Sequence, residues 1–414
     1  MYKTLEQQKH NTLQIQSWKM LGWLVSIQVL VAFVARSYAP LGVLIGSDLS
    51  LTKAQLGLLP AALFFGQAVI SIPVGFLTDQ VGTRRMLLYL TICLGGSFVI
   101  MSFASSFEMV LLLIIIGGLG YGSSHPASNR GILYWFKGNK RGTAMGMKQM
   151  GITAGSALAA LVLLPVATMW GWRSSLFIAS TLLIVSGMLV YKFYREPTVQ
   201  KRSSKDSVHF FSSLKAIVQN KGLLLVSLAA SGLHGSQTIL NTYIVIFSHE
   251  IIGLSIFLSG ILLVVSEVGG SLGRILWGIV SDCFFNGNRL IILLIISIST
   301  ACISIILATL PAGVPFSVMV LIIFIIGFCL SGYNGIWMNA TTEILPSDQA
   351  GIASGYSILM GSLGVMIGSP LFGAIVDKTG SFTFGWLFVF LIMAIVTVLL
   401  RIAIAITRKG KLMK

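Results

Sequence analysis

The chain has 414 residues, 55% of them hydrophobic and only 10% charged, with a mean hydropathy of +0.91. A water-soluble domain carries about 25% charged residues, so the composition excludes one and implies an integral membrane protein. The net charge of +16 follows position: about 21 of the Lys and Arg residues fall in the termini and even-numbered connections, and about three in odd-numbered ones. That asymmetry excludes a nucleic-acid partner, assigns the surplus to topology and anionic lipid headgroups, and places both termini in the cytoplasm.

The first 17 residues are polar and include Glu6; they lack the basic n-region and cleavage site of a signal peptide, so the first span is expected to be retained. Apolar runs of about 20 residues predict twelve spans at 18–46, 54–78, 86–105, 109–136, 143–168, 173–194, 222–249, 254–281, 289–310, 315–342, 349–376 and 383–406. The long polar connection, with Arg195, Lys201, Arg202, Lys205, Lys215 and Lys221, divides them. The expected organisation is a cytoplasmic segment 1–17, a six-helix bundle 18–194, a basic linker 195–221, a second six-helix bundle 222–406 and a cytoplasmic tail 407–414. The fold class is thus an all-α membrane protein of two pseudo-symmetric six-helix bundles. Cys93, Cys283, Cys302 and Cys329 have no metal or redox spacing, and neither a metal nor a cofactor is expected.

Arg36 lies late in span one, in Val34-Ala35-Arg36-Ser37-Tyr38-Ala39-Pro40. Between spans two and three stands Gly75-Phe76-Leu77-Thr78-Asp79-Gln80-Val81-Gly82-Thr83-Arg84-Arg85. A charged turn between two membrane-length segments must sit at a membrane face. It returns as Gly278 to Asp282 with Arg289 beyond, so the halves read as structural copies. Arg130 lies in span four, in His125-Pro126-Ala127-Ser128-Asn129-Arg130. Neither Arg36 nor Arg130 has an acidic residue one helical turn away, and a guanidinium facing a cavity suits a carboxylate. For Arg130 the alternative is snorkelling to a face about 9 Å away.

A second repeat pairs Arg141-Gly142-Thr143-Ala144-Met145-Gly146 with Ala350-Gly351-Ile352-Ala353-Ser354-Gly355. Small residues four apart, as at Gly151 and Gly155 or Gly269 and Gly273, let helices approach closely in lipid. In the second half His234, Gln237 and Asn241 share one face of span seven. Glu267 is the one acidic residue deep in a span, either a proton carrier or a carboxyl fixed by a partner such as Arg274. Tyr333, Asn334 and Trp337 cluster in span ten, where buried amides need partners or line a cavity.

The Gly75–Arg85 loop resembles the signature loop of the major facilitator superfamily. The stretch from His125 to Arg130, followed by Trp135-Phe136 and Lys140 to Ala144, is similar to the fourth-span region of its anion:cation symporter branch. The resemblance implies an alternating-access carrier of a small organic anion, with symport of a cation, the proton foremost, in the inner cell membrane as a monomer. It implies substrate contact by Arg36 and Arg130; Tyr38 and Asn129 beside them, and the polar stripe and aromatic platform of Gln237, Asn241, Tyr333, Asn334 and Trp337, are expected to line the same cavity. Gating would fall to Gly75, Asp79, Arg84, Arg85, Arg141, Gly278, Asp282 and Arg289. Branch members often carry an acid before the span-one arginine, where this chain has Ala35; proton coupling then needs Glu267, His125 or His234. An exporter of drugs or metabolites is the competing reading; an enzyme is not expected, because no nucleophile lies near a base in sequence.

Overall fold

The computed structural model describes residues 2–136, 140–196, 220–344 and 350–412, within which every regular element is helical. Hydrocarbon offers no partner for a peptide group, so so apolar a chain crosses it as segments that satisfy their own backbone. Eleven helical runs are long and apolar enough to span. One of them, Lys140–Phe193, has 54 residues, about twice what a bilayer requires. Gly171 divides it by taking φ +82, a conformation open to glycine, and the spans among the described residues therefore number twelve.

In the first half, α1 (Tyr2–Ala35) and α2 (Tyr38–Asp48) form span one, and α3 (Lys53–Val81) and α4 (Thr83–Met101) the next two. Span four is α5 (Phe107–Tyr121) with α6 (Ser124–Trp135); α7 (Lys140–Leu158), a π-helical turn at Ala159–Leu163 and α8 (Leu164–Phe193) complete the half. The second half runs through α9 (Lys221–Glu250), α10 (Ile256–Phe284), α11 (Arg289–Thr309), α12 (Phe316–Leu330), α13 (Asn334–Glu343), α14 (Ala350–Thr379) and α15 (Phe382–Leu412).

Three spans expected to be continuous are interrupted within their length, at Arg36–Ser37, Gly122–Ser123 and Ser331–Tyr333. The first two breaks have a covalent cause. Proline lacks an N–H, and its ring collides with the carbonyl four residues back. Pro40 stands four residues after Arg36, and Pro126 four after Gly122. Each proline then occupies the first turn of the helix that resumes, where no N–H is missed. At the third break Gly332 replaces the proline as the local weakness.

Packing groups the chain into two compact units, Met1–Ser37, Gly66–Ala159 and Val166–Arg202 in one, and Tyr38–Phe65, Ala160–Pro165 and Ser203–Lys414 in the other. These do not coincide with the covalent halves expected from the linker. In the first unit α1 lies along α7, close enough that a Cβ on Gly155 would strike the Val29 carbonyl and approach Ala32 Cβ at 2.8 Å. In the second unit α10 lies along α12, where a Cβ on Gly269 would fall 2.6 Å from the Phe324 carbonyl. These contacts give the expected small-residue seams their physical content.

The segment Tyr38–Phe65 joins the second unit through a compact joint. The Asp377 carboxylate accepts from the backbone N–H groups of Lys53 and Ala54, each at 2.8 Å, and so caps the start of α3. Lys53 Nζ pairs with Glu250 at 2.6 Å. The Tyr243 hydroxyl bonds the Lys53 carbonyl at 2.7 Å and the Ser369 carbonyl at 3.0 Å.

Candidate functional site

In the first unit the second interruption places α6 with its polar residues toward α1 and α7. Lys148 of α7 is 1% exposed. Its ammonium donates to Asn129 Oδ1 at 3.0 Å and lies 3.2 Å from His125 Nδ1. Gln28 of α1, 2% exposed, accepts from Ser124 Oγ at 2.9 Å, and its Nε2 is buried without a protein partner. Arg36 is half-buried at the first interruption, with Tyr38 buried just beyond it. Arg130 is turned toward the Gly75–Arg85 end of the unit: Nη1 donates to the Thr78 carbonyl and Nη2 to Tyr134 Oη at 3.0 Å, with the guanidinium 5.4 Å from that ring's centre. His125 and Asn129 are thus brought together, and Arg130 is engaged one helical step away. Lys148 was missed in the sequence because five residues from a predicted span boundary a lysine reads as a snorkelling end.

The second unit holds a larger polar group. Glu267 is 1% exposed and accepts from Asn241 Nδ2 at 3.0 Å. Gln237 Oε1 accepts from Asn334 Nδ2 at 3.4 Å. Gln237 Nε2 and Asn241 Oδ1 are buried without protein partners. Native interiors seldom leave such groups unmatched, so the cluster is suited to water or to a hydroxylated solute. Trp337 donates from Nε1 to Ser357 Oγ at 2.8 Å, with its ring 5.9 Å from Tyr333 and 6.4 Å from His234. Arg274 Nε donates to the Ser331 carbonyl at 3.1 Å, at the third interruption. The residues expected on spans seven, eight and ten therefore do converge, and the aromatic pair one turn apart forms a wall beside the amides.

The recurring loops are held differently in the two units. At the first, Gly82 takes φ +91, and a Cβ there would come within 2.7 Å of the Glu196 carboxylate. Glu196 accepts from the backbone N–H groups of Thr83 at 2.6 Å and Arg84 at 3.3 Å, supplying the cap that glycine cannot. Arg84 donates to the Tyr191 carbonyl and lies over that ring at 4.2 Å, while Arg85 is exposed. The side chain of Asp79 lies outside the described residues, and Gly75 has open space where a Cβ would stand. Arg141 donates to the Phe136 carbonyl at 2.8 Å. At the second loop Arg289 pairs with Asp282 at 2.6 Å and with Glu343 at 3.4 Å, and Gly278 has open space. Glu196 was not anticipated: it follows the last predicted span of its half, where a lone acid reads as linker.

Comparison with known proteins adds three findings. A model described as Major Facilitator Superfamily matches residues 24–369 and 293–411. Among curated proteins, the chain is 22% identical over 353 residues to a hexuronate transporter of Bacillus subtilis, covering 82% of this chain and 83% of that one. It is 27% identical to a probable sulfoacetate transporter of Cupriavidus necator over 46% of this chain and 44% of that one. Among solved structures, a nucleoside transporter superposes with a TM-score of 0.75 at 16% identity, covering 95% of this chain and 99% of the other.

Proposed function

The chain belongs to the Major Facilitator Superfamily, and we propose that it moves a small organic anion across the cytoplasmic membrane by alternating access. It is a transporter and not an enzyme. On this reading the cargo is a sugar acid or another carboxylate, taken up by a monomer together with protons, both chain ends facing the cytoplasm. The observation that carries it is a basic side chain, Arg36, at the interruption of a membrane span. A broken span is where transporters of this kind hold their solute, and a guanidinium there selects for negative charge.

Two further features support the reading. The hexuronate and sulfoacetate carriers are named for anions. Glu267 is buried in a span and hydrogen-bonded by an amide that tolerates either protonation state. It is the coupling group we favour over His125 and His234, since Ala35 leaves no acid beside Arg36. The fold alone does not choose the cargo, since it also serves a nucleoside transporter.

The test is uptake into proteoliposomes of labelled hexuronate, sulfoacetate, hexose phosphate and a nucleoside, with and without a pH gradient. The expected result is gradient-driven uptake of at least one anion, reduced at least tenfold by Arg36→Ala. Uptake of the nucleoside alone, untouched by Arg36→Ala, overturns the reading.

A further inference from the structure

Lys148 is used by none of the roles above. It lies in the interior of the first unit, 1% exposed, and both its hydrogen-bonding neighbours, His125 and Asn129, are side chains that can be neutral. An ammonium has three donors; one is engaged by the Asn129 carbonyl oxygen, and a second reaches His125 Nδ1 only when that nitrogen carries no proton. No carboxylate contacts Lys148 among the described residues; its polar contacts there are Asn129 and His125. A buried charge normally has an opposite charge beside it.

The neighbouring elements do not supply one. From α1 comes Gln28, an amide that packs against Gly151, where a Cβ would meet Gln28 Cβ at 3.3 Å, one turn along α7 from Lys148. Its Oε1 is turned to Ser124, and its Nε2 is a second buried donor, without a protein partner. From α6 the other basic group, Arg130, is directed to Thr78 and Tyr134. Spans one, four and five thus bring together a buried ammonium, met by an amide oxygen and an imidazole but by no carboxylate, and a buried amide N–H group without a protein partner.

We infer that Lys148, set by Asn129 and His125 and flanked by Gln28, is a seat for the anionic headgroup of the transported solute. The inference rests on the anion reading above and adds a contact to it. An ammonium is a point charge without the planar fork of a guanidinium, so this seat accepts a tetrahedral sulfonate as readily as a flat carboxylate. A headgroup entering it is stripped of water, which strengthens the attraction.

The experiment measures binding of hexuronate and sulfoacetate to purified full-length protein by ligand-induced thermal shift, alongside uptake, in wild type, Lys148→Gln and Asn129→Asp. Lys148→Gln keeps a hydrogen-bonding side chain and removes the charge; about a 10- to 100-fold loss of affinity for both anions is expected. Asn129→Asp places a carboxylate where an oxygen already lies 3.0 Å from the ammonium. It is expected to raise the melting temperature without ligand while weakening anion binding to the same degree. A purely structural Lys148 predicts the same stabilisation of the Asn129→Asp protein but normal anion binding, and that result overturns the seat. Wild-type affinity in a folded Lys148→Gln protein does so too. A wild-type protein that binds and moves none of hexuronate, sulfoacetate and hexose phosphate overturns the underlying anion reading, and the seat with it.

Discussion

Replacing Asp377 by Asn tests the joint that fastens the start of α3 to the end of α14. The native carboxylate accepts two backbone N–H groups at 2.8 Å; asparagine offers one oxygen and no charge, so one of the bonds is lost and the other weakened. A side-chain cap at a helix start contributes about 0.5–2 kcal/mol, and interaction of a carboxylate with the helix dipole about 0.3–1 kcal/mol. Asp377 is exposed, which favours the lower halves of these ranges and a net loss of about 1 kcal/mol. If α3 must part from α14 in each transport cycle, the parted population rises about fivefold. Ser369, fully buried beside Gly57 of α3, reports on it: in a background lacking the four native cysteines, Ser369→Cys should react with a maleimide about five times faster when Asp377→Asn is added. The Lys53–Glu250 pair is partly exposed and contributes about 0–1 kcal/mol, so added salt should accelerate labelling only slightly. Unchanged labelling in Asp377→Asn, with an unchanged melting temperature, would refute the reasoning.

Two other substitutions probe separate parts of the molecule. Gly82→Ala forces a side chain into φ +91 and against the Glu196 carboxylate; a destabilisation of about 1–3 kcal/mol is expected, read as a lower melting temperature in detergent, and Glu196→Ala should destabilise by about 1 kcal/mol through loss of the cap. Glu267→Gln keeps an oxygen for Asn241 Nδ2 and removes the titrating carboxyl; uptake should cease to respond to a pH gradient while exchange of internal for external solute continues, and gradient-driven accumulation at the wild-type level would rule out Glu267 as the coupling group.

The spans were legible because hydrocarbon imposes one rule on every residue that crosses it, and a run such as Arg289–Thr309 states that rule without help from its neighbours. The small-residue seams were legible for the same reason: Gly155 and Gly269 mark close approach whatever the partner is. The interruptions were half legible. Pro40 and Pro126 stand in plain view, yet Pro370 lies inside the unbroken α14, so a proline states a local tendency that packing overrides. What the chain order hides is pairing at a distance. Asp377 caps residues more than three hundred positions earlier, and no periodicity announces it. Lys148 escaped because its meaning lies in what surrounds it, two partners on another helix of which neither is a carboxylate, and Glu196 because an acid in a connector looks solvated until its acceptors are seen to be spent on Thr83 and Arg84. Arg130 was recognised as unusual from sequence, but only coordinates reveal that its donors point toward Thr78 and Tyr134.

Glu196 has a counterpart in Asn220, whose side chain accepts from the Leu223 N–H at 3.0 Å and closes the start of α9. Each borders the polar stretch between the halves, and each is tied down locally, to its own side. Severing the covalent link between these two anchors would therefore leave the starts of α4 and α9 capped. The gene could be split there and its two products made as separate polypeptides, each keeping the cap it supplies to its own side.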